Sequence, residues 1–172
     1  MSFTSAMLLG VAGGAGFDAI VTFPSGYSVS GSGGSNRYVS FSGGAPAVIS
    51  DPDGIIVNTF SRSTYDSIQL ENLETYEITV IEQPTYSSSS TEDKAGLSFI
   101  RIDTAGDPDT GAPPNFVTNA TFSSGNPVNL DAVSVTPSVG GNAGLGFVLF
   151  RKNSGETLST SGVLKLGITK TS

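Results

Sequence analysis

Three carboxylates fall within the nine-residue stretch Asp103-Thr104-Ala105-Gly106-Asp107-Pro108-Asp109-Thr110-Gly111. Alternating aspartates, backbone carbonyls and glycines that permit a tight path supply the oxygen-rich surroundings that Ca²⁺ takes. Asp103, Asp107 and Asp109 are therefore the candidate calcium ligands. Their spacing departs from an EF-hand loop, which wants Asp or Asn at positions 1, 3 and 5, Gly at 6 and Glu at 12. The competing reading is a solvated loop whose aspartates cap turns. Asp51 and Asp53 make a second, weaker oxygen pair. Turn chemistry already accounts for both, because Asp51-Pro52-Asp53-Gly54 has the proline and glycine placement of a type I turn.

Little other chemistry is available. The chain has no His and no Cys. The commonest general base, the commonest metal ligand and any thiolate nucleophile are thus missing, and Ser-His-Asp and Cys-His triads are excluded. There is no disulfide framework. Trp is also absent, so sugar stacking would fall to Tyr27, Tyr38, Tyr65, Tyr76 or Tyr86, residues that in strands more often serve as packing. Paired carboxylates can hydrolyse glycosides without histidine. Glu77 and Glu82 beside Tyr76, however, read as the outward face of a half-buried strand. Asn119-Ala120-Thr121 fits the glycosylation sequon, a short match that arises often by chance. Gly13-Gly14-Ala15-Gly16 is not a phosphate loop, since no Lys-Ser/Thr follows it. The expectation is a protein without catalytic residues and without a cofactor other than the calcium considered above.

Charge narrows the partners. Net charge is −7, and among the 8 basic residues only Arg151 and Lys152 are neighbours. Nucleic-acid binding needs a concentrated positive stripe, so it is not expected. The N-terminal stretch MLLGVAGGAGFDAIVTF (7–23) divides into an apolar plug at Ala6 to Ala12, a hinge at Gly13 to Gly16 and a strand from Asp18. No Lys or Arg precedes Arg37, which makes the plug a poor secretory signal. It is also far too short to span a bilayer. It reads as an arm, residues 1–16, in which Met7, Leu8, Leu9 and Val11 are the candidate partner-binding residues.

The elements that must position these groups are strands. Charged residues are only 13% of the chain and small polar residues fill the gap, a composition of turn-rich β-proteins. DAIVTF (18–23) stops at Pro24; RYVSFS (37–42), YDSIQL (65–70) and TYEITVIE (75–82) follow. In the last, Tyr76, Ile78 and Val80 face one way while Glu77 and Thr79 face the other. PAVIS (46–50) and GIIVNTF (54–60) flank the Asp51–Gly54 turn and predict a hairpin over 46–60. GLSFIRID, NFVTNATF, LDAVSVTP, GLGFVLFRK and SGVLKLGITK continue the pattern to residue 170, with 85–96 as a polar loop. The only helix candidate is one or two turns at Ser5 to Val11. The chain therefore predicts an all-β fold: an antiparallel β-sandwich or jelly-roll-like domain of about ten short strands over 17–172, preceded by the arm.

The apolar stub and glycine run, MLLGVAGGAG, leading into an acidic, Cys-free, Ser/Thr/Gly-rich β domain, resemble structural virion proteins of tailed bacteriophages. Head decoration (cement) proteins and tail appendage proteins share this look. The resemblance implies a virion location, assembly in the host cytoplasm, and partners that are copies of itself, as a trimer or dimer, and other virion proteins such as the major capsid protein. No membrane partner is implied. A tail fibre or receptor-binding module that reads cell-surface glycans is the alternative, and a secreted carbohydrate-active enzyme or adhesin a third.

Overall fold

The computed structural model describes residues 16–23, 28–29, 37–40, 46–61, 66–71, 73–88, 94–102, 115–121, 130–137, 142–151 and 158–172. The arm plug and its helix candidate at 5–11 lie outside them. Among the described residues there is no helix, and fourteen strands form three antiparallel sheets. They are β1 (Ala19–Phe23), β2 (Ser28–Val29), β3 (Arg37–Ser40), β4 (Ala47–Ser50), β5 (Ile56–Ser61), β6 (Asp66–Leu70) and β7 (Tyr76–Glu82). Then follow β8 (Thr85–Ser88), β9 (Lys94–Ile102), β10 (Asn115–Thr121), β11 (Val133–Val135), β12 (Asn142–Arg151), β13 (Leu158–Ser161) and β14 (Leu164–Lys170).

The first sheet has the order β11-β7-β14-β1-β4, the second β10-β9-β12-β6-β5 and the third β2-β13-β8. The long β12 carries β9 on one side; its other side is shared by β6 over Gly144–Gly146 and β3 over Val148–Arg151. Alternation explains why the first two sheets pack. Ala19, Val21 and Phe23 of β1, Tyr76 and Ile78 of β7, and Leu164, Leu166 and Ile168 of β14 turn to one face. They share a single buried cluster with Ile68 and Leu70 of β6, Leu97 of β9, and Leu145 and Phe147 of β12. Side chains from two sheets in one core make the molecule a sandwich, as the alternating strands predict.

The structure adds two strands that hydrophobic pattern does not mark. β8 lies in the stretch read as a polar loop, and β13 precedes β14 within and before a segment read as one strand. Both are rich in Ser and Thr, so they have no apolar face to signal them. They pair with each other, and Thr85 Oγ1 lies 2.7 Å from Ser161 Oγ. Gly162, at φ +87, turns the chain from β13 into β14.

The hairpin predicted over 46–60 does not form. The turn exists: the Gly54 amide donates to the Asp51 carbonyl (3.3 Å), and Gly54 takes φ +67, a left-handed position that suits glycine. Yet β4 pairs with β1 in the first sheet and β5 with β6 in the second. The Asp51 carboxylate decides the path. Its Oδ1 accepts the Ile55 amide (2.8 Å) and its Oδ2 the Ile56 amide (3.0 Å). Those donors are thereby turned toward the corner, Ile55 is buried in the common core, and the chain changes sheets.

Candidate functional site

Two features flank β1 on the first sheet: the root of the N-terminal arm, held on β14, and a strand edge that is unpaired among the described residues. The root is fixed at three consecutive residues. Gly16 has φ +105, a conformation that favours glycine, and kinks the chain into β1. The Phe17 ring lies against Gly167, so close that a Cβ there would be 2.5 Å from it. Asp18 donates its amide to the Ile168 carbonyl (2.9 Å), and its Oδ2 accepts the Lys170 amide (2.7 Å). Gly167→Ala should therefore displace the ring and cost about 1–2 kcal/mol, as overpacking does. Adding Phe17→Ala removes the clash. In urea titrations the double variant should then be no less stable than Phe17→Ala alone, whereas simple additivity would count against the contact.

The open edge is β4. Among the described residues it pairs only with β1, across which the root enters. Natural edges are blunted by charge, proline or bulges. Ala47-Val48-Ile49-Ser50 has no charge, and Val48 and Ile49 are 41% and 53% exposed. The register is Val21 with Val48 and Ile20 with Ser50, so Ile49 is the extra residue of a bulge with no partner on β1. β5, the edge strand of the second sheet, repeats the device. Ile56 pairs with Leu70 and Asn58 with Gln69, which leaves Val57 unopposed and 53% exposed. Both bulges flank the Asp51–Gly54 corner. Val48 and Ile49 give the β4 edge an exposed apolar ledge, next to the corner that carries Asp51 and Asp53.

A second cluster sits where the C-terminal strand ends. Lys170 Nζ donates to Glu71 Oε2 (3.0 Å) and pairs with Glu74 Oε1 (3.4 Å). Backbone bonds join Thr75 to Ser172 (2.9 Å) and Thr171 to Thr75 (2.7 Å). The hydrogen bond to Glu71 chiefly, and the charges of both glutamates, hold the Lys170 ammonium more firmly protonated than an ordinary lysine. Burial is the main force that raises the Tyr76 phenol above its usual value, reinforced by the Glu71 charge. These contacts join the end of β14 to the residues that lead into β7.

Tyr76 Oη is buried without a hydrogen-bond partner; the nearby Glu71 backbone opposes the rise slightly but makes no bond of proper geometry. Tyr76→Phe should thus gain about 1 kcal/mol near neutral pH, the cost of an unsatisfied buried group. The sign with pH follows from the raised value. The phenol's preference for the protonated folded state is complete below pH 10.0, the ordinary tyrosine value, and is lost as pH rises through the folded one. Urea titrations from pH 8 upward should show a shallower alkaline decline in Tyr76→Phe. A parallel decline would place the titrating group elsewhere.

Sequence-predicted residues divide as follows. Met7, Leu8, Leu9 and Val11 lie outside the described residues, as do Asp103, Asp107 and Asp109. Asp51 uses both carboxylate oxygens on backbone amides, and Asp53 is exposed. Among the described residues no group of three or more acidic side chains is placed to hold a metal. Tyr76 is a core residue, while Glu77 and Glu82 are exposed. Tyr27 and Tyr65 lie outside the described residues, and the sequon occupies β10. Phe17, Asp18, Gly167 and Ile49 escaped sequence reasoning. The first three are joined only by tertiary contact. The lack of charge in AVIS was readable in the sequence, but its bulge at Ile49 was not. No protein family, curated protein or solved structure matches the chain.

Proposed function

We propose that this chain is a non-enzymatic structural subunit of a tailed-phage virion, a head decoration protein that stabilises the shell through contacts between subunits. The supporting observation is an arrangement on one sheet: the three-residue anchor Gly16–Asp18, held against β14, leads into β1, whose other side carries β4, an edge strand with no charge and two exposed aliphatic side chains. An anchored root with a glycine-linked apolar segment beyond it suits a tether between subunits. An uncharged strand edge suits a chain that meets other chains by apolar contact. The net charge of −7 suits a subunit that stays clear of packaged nucleic acid. Its partners are further copies of itself, as a trimer or dimer, and the major capsid protein.

Deleting residues 2–15 while keeping the root tests the reading. Sedimentation should show an oligomer for the full chain and a monomer for the truncated one, with unchanged melting. An antibody to the chain should label intact heads of the particles that carry its gene. An unaltered oligomer after truncation, or absence from purified particles, overturns the proposal; label on the tail moves it to an appendage.

A further inference from the structure

From the same exposed ledge we infer where the arm goes: the apolar plug Ala6–Ala12 of one copy docks on the β4 ledge of a second copy, with Met7, Leu8, Leu9 and Val11 covering Val48 and Ile49. The inference rests on the proposed role of the arm and adds its receiving surface.

Four observations carry it. First, the run Ala47–Ser50 is itself uncharged, although the chain as a whole bears −7; the nearest acidic residues, Asp51 and Asp53, lie in the corner beyond its end. Second, the plug is equally uncharged and supplies four apolar side chains, Met7, Leu8, Leu9 and Val11. Third, reach and direction favour exchange between copies. Ile20 is opposite Ser50, so the root lies at the end of β4 where the chain leaves for the Asp51–Gly54 corner. Gly13 to Gly16 spans at most about 13 Å. A plug that doubled back onto its own β4 would have to cross that corner and then run parallel to the strand, the weaker pairing. A plug from another copy approaches without either constraint. Fourth, the bulge at Ile49 interrupts the β4 ladder. It disfavours direct pairing of β4 with β4 and leaves a side-chain ledge, which suits a plug better than a long added strand. Each copy offers one plug and one ledge, so reciprocal exchange between two copies, or a ring whose rotation closes, leaves neither open.

The absence of Cys gives a clean background for crosslinking. A size-tagged Leu8→Cys chain mixed with an Ile49→Cys chain should form a mixed disulfide about tenfold more than Leu8→Cys mixed with Glu77→Cys, a control on the exposed outer face of β7. Equal yields overturn the inference. A predominant Ile49→Cys homodimer also overturns it, in favour of edge-to-edge pairing. So does closure within one chain when both cysteines are on the same molecule, in favour of a folded-back arm. Independently, Ile49→Lys should weaken self-association by about tenfold or more without lowering the melting temperature, since it places a charge on the ledge. If deletion of residues 2–15 abolishes the oligomer while Ile49→Lys and the crosslink pattern show no dependence on β4, the ledge assignment fails and the arm reading stands. If the deletion leaves the oligomer intact, the arm reading itself fails.

Discussion

Leu166→Ala is expected to lower stability by about 3–5 kcal/mol, the upper part of the range for truncating a sealed core leucine. Leu166 is fully buried on β14, the central strand of the first sheet, flanked by β7 and β1. Its neighbours in register, Val21 and Val80, are β-branched and stiff, so they relax poorly into the space left behind. For a chain of this length the loss corresponds to a fall in melting temperature of roughly 10 °C. Leu145→Ala, fully buried on the second sheet, should cost a similar amount. Because both side chains belong to one cluster, each substitution should move the same single unfolding transition. Two transitions, with each variant shifting only one, would mean that the sheets have separate cores. Lys165→Ala, on the opposite face of β14, should stay within about 0.5 kcal/mol of the parent. A cost below about 1 kcal/mol for Leu166→Ala would remove it from the core altogether.

Period-2 alternation was enough to show the all-β class and to orient β7, because burial on one face forces apolar and polar residues to alternate. Where a strand carries few apolar side chains, the same signal vanishes. β8 and β13 are Ser/Thr strands that stabilise each other through backbone pairing and hydroxyl contacts such as Thr85 with Ser161, so pattern reads them as loop. The Asp51–Gly54 stretch shows a different limit. Local residue types specify a turn, but which partner strand each arm of the turn takes is decided by β1 and β6, distant in sequence. The proposed site was half legible. The apolar plug and its hinge are plain in the sequence, and so is the uncharged β4. The anchor of Phe17 under Gly167 and of Asp18 on Lys170 joins residues about 150 positions apart, and no spacing rule connects them.

Asp51→Ala is expected to cost about 2–4 kcal/mol, the sum of two charge-assisted hydrogen bonds to partly buried amides. The donors at Ile55 and Ile56 cannot find substitutes within the turn, whose one backbone bond already uses the Gly54 amide and the Asp51 carbonyl. Leaving them unpaired beside the buried Ile55 side chain adds desolvation to the lost attraction. Asp51→Asn keeps one acceptor oxygen and turns the other position into a donor that meets an amide, so it should recover less than half of the loss. Asp53→Ala, exposed and without a role in the corner, is the control and should stay within about 0.5 kcal/mol. Urea titration of the three variants checks the order. Equal effects at Asp51 and Asp53 would show that turn propensity, rather than the two amide bonds, holds the corner. The same series bears on assembly, because the corner sets where β4 ends and how Ile49 and Val57 are presented. Asp51→Ala should therefore weaken self-association beyond its cost to folding, measured at a temperature where the variant remains folded. An Asp51→Ala chain that folds and associates as the parent does would separate the ledge from the corner that frames it.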